Sequence, residues 1–252
     1  MRRLENRTIL LAGGAGGIGE ATARRLASEG AKIVVGDIDA DAARSIAASI
    51  NDAGGRAVAH PFDISDDGAV KDFVEFGVRT FGGIDGLHAN AAYLSIQHLD
   101  TNVLEIGLDV LDRILDVNLK GYVYCTRHVL PHLLERGGGA IVYTSSGAAF
   151  AGEPVRVAYA ASKAGVNALM RHVASAWGKQ GIRANAIAPG LVTSPTVLAL
   201  PLEFREQCLR ANRSTRLGDP SDIAAVVAML MSEDGAWIQG QLVNVDGGQT
   251  LR

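Results

Sequence analysis

The chain has 252 residues, of which 48% are hydrophobic and 20% are charged, and its formal net charge is -3. This composition is that of a globular protein and excludes an intrinsically disordered chain. The small net charge argues against nucleic acid or an anionic membrane surface as a partner.

Short apolar runs alternate with longer helix-like segments along the chain. Strands are predicted at residues 8–12, 32–36, 57–62, 84–89, 140–144, 182–188 and 241–245. Helices are predicted at residues 18–29, 39–53, 66–81, 109–135, 155–180 and 221–231. Strands without polar alternation, each followed by a helix, are typical of a parallel sheet that is covered on both faces. We therefore predict an α/β fold of the Rossmann-like, doubly wound type, whose ligands bind beyond the carboxyl ends of the strands.

No linker rich in Pro, Ser or charge interrupts this pattern, so we expect one domain over residues 1–252. The apolar run within residues 1–11 is too short for a secretory signal. The longest uncharged stretch, residues 184–202, contains three prolines that would break a membrane helix. We expect a cytoplasmic protein with no membrane association. Cys125 and Cys208 lie in helix-like segments and give no support for a disulfide framework or a zinc site.

A glycine-rich loop follows the first predicted strand and opens into a helix. It fits two glycine patterns, Gly14-x-Gly16-x-x-Gly19 and Gly13-x-x-x-Gly17-x-Gly19. Glycines allow a tight turn and a close approach to a pyrophosphate, whose negative charge is favoured at the start of a helix. The loop therefore predicts a dinucleotide site, with a merely flexible loop as the alternative. The residues expected to contact the dinucleotide are Gly13, Gly17, Ile18 and Gly19.

Polar residues also follow the second, third and fourth predicted strands. Asp37 could accept hydrogen bonds from both hydroxyls of an adenosine ribose, and its carboxylate would repel a 2′-phosphate. Because no Lys or Arg lies in the glycine loop or directly after Asp37, NAD is predicted rather than NADP. The alternative is that Asp37 caps the helix that begins near Asp39. Asp63, with Ile64 after it, is placed to contact the adenine, and Asn90 the neighbouring ribose, although Asp63 and Asn90 could equally be turn or cap residues.

A tyrosine and a lysine lie one turn apart on the helix predicted at residues 155–180. Tyr159 and Lys163 lie four positions apart in the sequence and so share one helical face. A tyrosine that acts as a base near neutral pH needs its pKa lowered by about 3 units, which is worth about 4 kcal/mol. A unit charge about 4 Å away, at an effective dielectric constant of about 20, supplies about 4 kcal/mol. The pair therefore predicts a Tyr159 phenol whose pKa is lowered by Lys163.

In order and spacing, these motifs resemble those of the short-chain dehydrogenase/reductase family over essentially the whole chain. Further matching motifs are Ala89-Asn90-Ala91-Ala92, Asn118-Leu119-Lys120-Gly121, Ser145-Ser146 and Pro189-Gly190. The resemblance implies an NAD-dependent enzyme that interconverts an alcohol and a ketone, with Tyr159 as the general base or acid. It also implies a homotetramer.

The resemblance implies a role for each of the matching side chains. Ser146, thirteen residues before Tyr159, would hydrogen-bond the substrate oxygen, with Ser145 as the alternative. Lys163 would hold the nicotinamide ribose and lower the pKa of Tyr159, and Asn118 would hold a water molecule in a proton relay. The cofactor contacts near the sixth strand would come from Pro189, Gly190, Val192 and Ser194, with Thr193 as an alternative donor to the carboxamide.

Regular structure is predicted to lapse at about residues 190–220, in a segment that holds several apolar side chains. If it overhangs the nicotinamide as a lid, the substrate is expected to be an apolar or cyclic secondary alcohol or its ketone; alternatively, these side chains only pack against the body. His128 and His132 share a helical face without an evident third ligand, so no metal site is predicted. Rival functions are a non-catalytic dinucleotide sensor or scaffold, and a methyltransferase that would leave Tyr159 and Lys163 unexplained.

Overall fold

The protein is described by a computed structural model over residues 3–251, apart from the side chains of Pro195 and Thr196. Within this range, seven strands form one sheet in the order β3-β2-β1-β4-β5-β6-β7. Every pairing between neighbouring strands of this sheet is parallel. The strands are β1 (Thr8–Ala12), β2 (Lys32–Asp37), β3 (Arg56–Pro61), β4 (Gly86–Ala89), β5 (Gly139–Thr144), β6 (Ile182–Pro189) and β7 (Leu242–Val245).

Helices connect the strands and lie on both faces of the sheet. They are α1 (Gly17–Ser28), α2 (Ala40–Asp52), α3 (Asp67–Phe81), α4 (Leu108–Leu115), α5 (Gly121–Glu135), α6 (Val157–Trp177), α7 (Pro195–Leu198), α8 (Leu202–Ala211) and α9 (Pro220–Met231). The predicted doubly wound α/β fold is confirmed. No helix among the described residues is both long and apolar enough to span a membrane.

Each face of the sheet has its own hydrophobic core, which explains why the strands lack polar alternation. In β1, Leu10 packs into the core beneath α3, α5 and α6, together with Phe73. Its neighbours Ile9 and Leu11 pack into the other core, beneath α1, α2 and α9, together with Leu26. Successive strand residues point to opposite faces, so both sets of side chains must be apolar.

The order of the strands creates a crevice at the carboxyl end of β1. This strand lies between β2 and β4, so the chain proceeds in opposite directions across the sheet from this point. In open parallel sheets, ligands bind at such a switch point. The glycine loop after β1, Asp37 at the end of β2 and Asn90 after β4 all lie at this edge.

Two predicted segments differ from the structure. The helix expected over residues 109–135 is divided into α4 and α5 by a π-helical turn, Asp116–Lys120. The segment predicted to be irregular contains α8, a helix of 10 residues, so that prediction is wrong for Leu202–Ala211. None of the residues of α8 is buried. A helix without a buried face gives little apolar periodicity in the sequence.

Candidate active site

The glycine loop is shaped so that its backbone can approach a ligand closely. Gly13 and Gly17 have φ angles of 86° and 47°, in the left-handed region that glycine adopts readily. A Cβ atom at Gly19 would lie 2.1 Å from the carbonyl oxygen of Gly13, so no side chain fits there. A Cβ atom at Gly16 would meet nothing within 4 Å, which means that the outer side of the loop is open.

Helix α1 begins directly behind this loop, at Gly17 and Ile18. Its N-cap residue is Gly16, and no side chain caps the helix. The first N–H groups of a helix need partners from outside it, and they favour an anion. The open loop and the uncapped helix start therefore fit the pyrophosphate of a dinucleotide, and the flexible-loop alternative is not needed.

Asp37 is fixed by the backbone on both sides of its carboxylate. One oxygen accepts a hydrogen bond from the N–H of Ala15 in the glycine loop at 2.9 Å, and the other accepts from the N–H of Asp39 at 3.1 Å. The side chain that caps α2 is Asp39, which accepts from the N–H of Ala42 at 3.0 Å. The alternative that Asp37 caps this helix is therefore wrong.

Asp63 and Ile64 follow β3 at the same edge of the sheet. The Asp63 carboxylate accepts hydrogen bonds from the N–H and the hydroxyl of Ser65 at 2.8 and 2.7 Å, and from Arg113 at 3.4 Å. Burial alone would raise the pKa of Asp63, but these hydrogen bonds outweigh burial and lower it. The Ile64 side chain is buried next to Gly121, so only its backbone is available to a ligand.

Asn90 belongs to a buried network that reaches the glycine loop. Its amide nitrogen donates to the carbonyl of Gly13 at 2.8 Å, and its amide oxygen accepts from the Thr144 hydroxyl at 3.0 Å. The Thr144 oxygen in turn lies 3.0 Å from Nε2 of His88. Because the hydroxyl proton points to Asn90, His88 must donate from Nε2.

The sequence analysis did not single out His88, which lies at the centre of the sheet on β4. It is fully buried, and its Nδ1 atom has no hydrogen-bond partner among the described residues. Burial lowers the pKa of His88 to about 3. His88 is therefore neutral, and it orients Thr144 towards Asn90.

The structure brings Ser146, rather than Ser145, to the phenol of Tyr159. The Ser146 side chain lies close enough to the Tyr159 phenol to lower the pKa of that phenol by hydrogen bonding, and its oxygen accepts from the N–H of Ala148 at 3.2 Å. The Ser145 hydroxyl is buried and lies 3.4 Å from the carbonyl of Lys163, to which it donates. Ser146 is thus the serine placed to share a substrate oxygen with Tyr159.

Lys163 lies beneath the tyrosine and is almost completely buried. Its Nζ atom donates to the carbonyl of Thr144 at 2.8 Å and lies 5.8 Å from the centroid of the Tyr159 ring. Because burial disfavours the ammonium, it lowers the pKa of Lys163 to about 7. Thr144 thus contacts both Lys163, through its carbonyl, and Asn90, through its hydroxyl.

The pKa of Tyr159 differs from the prediction. Burial raises this pKa, and the hydrogen bond from Ser146 and the charge of Arg156 only partly offset that effect. We expected Lys163 to bring the pKa of Tyr159 below its usual value. That expectation is wrong, because the combined effect of the protein's own groups raises this pKa. The Coulomb argument assumed a fully charged lysine in a polarisable medium, whereas burial in the structure removes solvation from both side chains.

Asn118 lies in the π-helical turn and is fully buried. Its side-chain oxygen accepts from the N–H of Tyr93 at 2.8 Å, and its amide nitrogen lies 3.5 Å from the hydroxyl of Ser162. Ser162 in turn donates to the carbonyl of Tyr159 at 2.7 Å. The side chain of Asn118 therefore has protein partners on both its oxygen and its nitrogen.

Helix α6, which carries Tyr159 and Lys163, is capped by a residue that the sequence analysis missed. The buried carboxylate of Asp100 accepts from the N–H groups of Ala158 and Tyr159 at 3.0 and 2.8 Å. The carbonyl of Asp100 also accepts from the N–H of Arg156 at 2.9 Å. Asp100 precedes these residues by more than fifty positions, so no local capping pattern reveals it.

The segment after β6 brings further predicted residues to the crevice. Gly190, which follows Pro189, donates its N–H to the carbonyl of Val245 at 3.0 Å. The Thr193 hydroxyl donates to the carbonyl of Gly218 at 3.1 Å, and the buried Val192 pairs with the same residue. The Cβ atom of Ser194 lies 3.3 Å from where a Cβ of Gly17 would be, so Ser194 is next to the glycine loop.

Apolar side chains of α7 and α8 are open to solvent. Leu198, Leu202 and Phe204 are 53%, 61% and 45% exposed. Each of these three side chains is therefore only partly packed against the body. We call Leu198, Leu202 and Phe204, taken together, the lid surface. Away from the crevice, His128 hydrogen-bonds Asp67 at 2.8 Å and so connects α5 to α3.

Comparisons with known proteins agree with this geometry. A family model described as Enoyl-(Acyl carrier protein) reductase matches residues 13–250. The chain is 36% identical to the 7alpha-hydroxysteroid dehydrogenase of Bacteroides fragilis, with 100% of this chain and 97% of the relative covered. It is also 36% identical to the cis-4-hydroxycyclohexanecarboxylate dehydrogenase of Sinomonas cyclohexanicum, with 97% of this chain and 96% of the relative covered.

A solved structure extends the likeness to three dimensions. It is a 7 alpha-hydroxysteroid dehydrogenase complexed with NADH and 7-oxo glycochenodeoxycholic acid. The two chains share a TM-score of 0.93 at 30% identity, and the match covers 99% of this chain and 97% of the other. The likeness therefore covers the sheet and also residues 190–220, which we call the lid segment.

Proposed function

The chain belongs to the short-chain dehydrogenase/reductase family, and from this premise we propose that it oxidises a secondary alcohol with NAD, or reduces the ketone with NADH, through Tyr159. The named relatives are dehydrogenases of hydroxylated compounds, so the chain is an oxidoreductase acting on alcohol or ketone groups. It is thus an enzyme rather than a sensor or scaffold, and the methyltransferase alternative is wrong.

The observation that carries the proposal is the position of Tyr159 between Ser146 and Lys163. The Ser146 hydroxyl lowers the pKa of the phenol by hydrogen bonding, and the lysine Nζ lies 5.8 Å from the ring centroid. Thr144 and Asn90 join this group to Gly13 of the glycine loop. The two hydroxyls therefore lie beside the crevice that fits a dinucleotide, where a substrate oxygen can meet both.

In the oxidation direction, Ser146 holds the alcohol oxygen by a hydrogen bond. Tyr159, as phenolate, removes the hydroxyl proton of the alcohol. The hydride leaves the carbon that carries the alcohol oxygen. A bound nicotinamide dinucleotide would supply the acceptor for this hydride and would return the hydride in the reverse reaction. In reduction, the Tyr159 phenol gives its proton to the carbonyl oxygen. The alcohol loses one proton and one hydride in total, which balances its conversion to the ketone.

Two neighbours prepare Tyr159 for this role. Because burial raises its pKa, the phenolate needs stabilisation, which the Ser146 hydrogen bond and the Arg156 charge supply in part. Lys163, whose pKa is lowered to about 7, can change protonation near neutral pH and so can pass the proton onward. Asn118 would hold the water molecule that completes this relay.

Residues around the crevice support the assignment of the cofactor contacts. Gly13, Gly17, Ile18 and Gly19 would take the pyrophosphate. Asp63 and the backbone of Ile64 would contact the adenine, and Asn90, Tyr159 and Lys163 would contact the nicotinamide ribose. Pro189, Gly190, Val192 and Ser194 would border the carboxamide, with Ser194 as the donor because the Thr193 hydroxyl is already bonded to Gly218.

Asp37 supports NAD rather than NADP. Its carboxylate is held at the end of β2 by the N–H of Ala15, where it can accept both ribose hydroxyls. The next residue, Ile38, is apolar and 69% exposed, so it offers no positive charge to a 2′-phosphate. The NADH complex of the similar hydroxysteroid dehydrogenase supports the same choice.

Exposed apolar side chains support the expected homotetramer. Val123 on α5 is 40% exposed and Trp237 is 99% exposed. Large apolar side chains open to solvent often mark a contact between subunits. We propose that copies of the chain meet at α5 and at the surface around Trp237.

The apolar lid surface supports an apolar or cyclic substrate. The test is to follow NADH absorbance while purified protein is offered cyclic secondary alcohols and ketones, linear ones, and sugars or polyols. Turnover of cyclic or apolar compounds is expected. Absence of turnover with every compound would overturn the proposed function, and best turnover with sugars or polyols would overturn the proposed substrate class.

A further inference from the structure

Arg156 is held against the ring of Tyr159 by an unusual backbone conformation. It is the N-cap residue of α6 and has a φ angle of 65°, which is uncommon for a residue with a long side chain. Its N–H is fixed by the carbonyl of Asp100 at 2.9 Å. The Cζ atom of its guanidinium lies 5.6 Å from the centroid of the Tyr159 ring. Strained backbone that places a charged group beside a reactive one is typical of functional sites.

The guanidinium of Arg156 has hydrogen-bonding capacity to spare. Its Nη2 atom bonds the carboxylate of Glu153 at 2.6 Å. Among residues 3–251, its Nε and Nη1 atoms have no hydrogen-bond partner, and the side chain is 36% exposed. A guanidinium offers five N–H groups in a plane, which suits bidentate binding of a carboxylate. Both bidentate edges of the group include Nη2, which Glu153 occupies, so Nε and Nη1 of Arg156 are available to an anion as separate single donors.

The charge of Arg156 also acts on a residue of α8, a helix in the lid segment. This positive charge lowers the pKa of Cys208 on α8, as it does the pKa of Tyr159, although burial is the larger effect on both groups. The guanidinium of Arg156 lies over the Tyr159 ring of the catalytic helix, and its charge also acts on Cys208 of α8. A substrate whose oxygen is bonded to Ser146 and Tyr159 would have Arg156 within reach of a group a few bonds further along.

We propose that Arg156 binds a carboxylate carried by the substrate, so that the enzyme acts on an amphipathic hydroxy acid or its keto acid. The apolar or cyclic body of this substrate lies against the lid surface, and its carboxylate accepts a hydrogen bond from Nε or Nη1 of Arg156. This inference rests on the proposed function, because the position of the anion is defined relative to Tyr159.

The test compares each keto acid with its own methyl ester, which has the same carbon skeleton and no charge. The probes are 4-oxocyclohexanecarboxylate and a fused-ring ketone with a carboxylate side chain, each with its ester. The rate of NADH oxidation gives kcat/KM, and the quantity compared is the acid-to-ester ratio. The wild type is expected to prefer the acid of at least one pair.

Variants of the ion pair should move this ratio in opposite directions. Arg156→Asn removes the guanidinium with a residue that tolerates a positive φ, and should lower the ratio by about tenfold or more. Arg156→Lys should restore part of it, since lysine keeps the charge but not the planar donors. Glu153→Gln should raise the ratio. Arg79→Gln removes an arginine that is paired with Glu75 on α3 and should leave the ratio unchanged.

The inference is overturned if the wild type prefers the ester in both pairs, or if Arg156→Asn shifts the ratio no more than Arg79→Gln does. This failure is distinguishable from that of the proposed function. If the wild type and the variants reduce ketones with NADH but their acid-to-ester ratios are the same, only the role of Arg156 is lost. If the wild type reduces no ketone at all with NADH, the proposed function itself is wrong.

Discussion

The carboxylate of Asp100 accepts the backbone N–H of Tyr159 at 2.8 Å, and this bond connects the loop after β4 to the first turn of the catalytic helix. The same carboxylate accepts the N–H of Ala158, and its residue is only 2% exposed. A helix start needs partners for its first N–H groups, and here no side chain of the helix itself provides them. Asp100 is therefore a positioning residue for Tyr159.

Replacing Asp100 with alanine should impair both stability and catalysis. Two buried N–H groups would lose their acceptor, so the free energy of unfolding should fall by about 1–3 kcal/mol. Because the backbone of Tyr159 is then no longer held, kcat should fall by about tenfold or more while KM for NADH changes little. The measurements are denaturant unfolding and steady-state kinetics.

The matched control is Asp219→Ala, which removes the capping carboxylate of α9, a helix without proposed catalytic residues. It should cost about 1 kcal/mol of stability and leave kcat near that of the wild type. If both variants lower kcat to the same extent, Asp100 has no positioning role beyond stability.

His88 should make the protein lose stability as the pH falls. Its pKa is lowered to about 3 in the folded protein, from about 6.5 when unfolded, so the unfolded chain binds the proton first. The stabilisation is present above about pH 6.5 and is lost as the pH falls towards 3. Between pH 6.5 and 4.5 the loss due to His88 should reach about 2 kcal/mol, since one pKa unit is worth about 1.4 kcal/mol and the unfolded histidine is already half protonated at pH 6.5.

The comparison is between the wild type and His88→Val, whose unfolding free energies are measured at several pH values. The variant lacks the titrating group, so its stability should fall less steeply over this range. Because other groups titrate in both proteins, the difference between the two curves is what counts. Parallel curves would show that His88 is protonated equally in the folded and unfolded states.

The sequence was sufficient for the parallel sheet and for the edge where the site lies. Burial of the strands on both faces removes polar alternation, as Ile9 and Leu10 in opposite cores illustrate, and this leaves a strong signal. Each strand in turn places its next polar residue at the carboxyl edge, which made Asp37 and Asn90 visible. Tyr159 and Lys163 were visible because one helical turn relates them.

What the sequence could not predict depends on contacts between distant residues or on solvent exclusion. Asp100 caps a helix that begins more than fifty residues later. The left-handed backbone at Arg156 occurs at the start of that same helix and has no local sequence signal. The pKa of Tyr159 is raised because the folded chain buries it, an effect that spacing along a helix does not reveal.

Cofactor preference should follow the carboxylate of Asp37. A double variant, Asp37→Ser with Ile38→Arg, removes the charge that repels a 2′-phosphate and adds one that attracts it. Position 38 is 69% exposed in the wild type, so the arginine can be accommodated. The ratio of kcat/KM for NADPH over NADH should rise by at least about tenfold, which corresponds to about 1.4 kcal/mol.

The control for this change is Asp39→Ala, which removes the neighbouring carboxylate that caps α2. It should lower stability by about 1 kcal/mol without altering the preference between cofactors. A preference that stays unchanged in the double variant would refute the role assigned to Asp37.

The two adjacent serines should behave differently. Ser146→Ala removes the hydroxyl that hydrogen-bonds the Tyr159 side chain and should lower kcat by about 100-fold, as loss of one donor to a reacting oxygen typically does. Ser145→Ala removes only a hydroxyl that lies 3.4 Å from the carbonyl of Lys163, and it should lower kcat far less. Steady-state kinetics on both variants decide the matter, and the reverse order would assign the substrate contact to Ser145.

The central claim is that Tyr159 transfers the proton, and the variant Tyr159→Phe tests it most directly. Steady-state kinetics would be measured with a ketone that the wild type reduces, and NADH affinity by calorimetry on the same preparations. The account predicts that kcat falls by at least about 100-fold, while the dissociation constant for NADH stays within about twofold. Turnover close to that of the wild type, with NADH still bound, would contradict it.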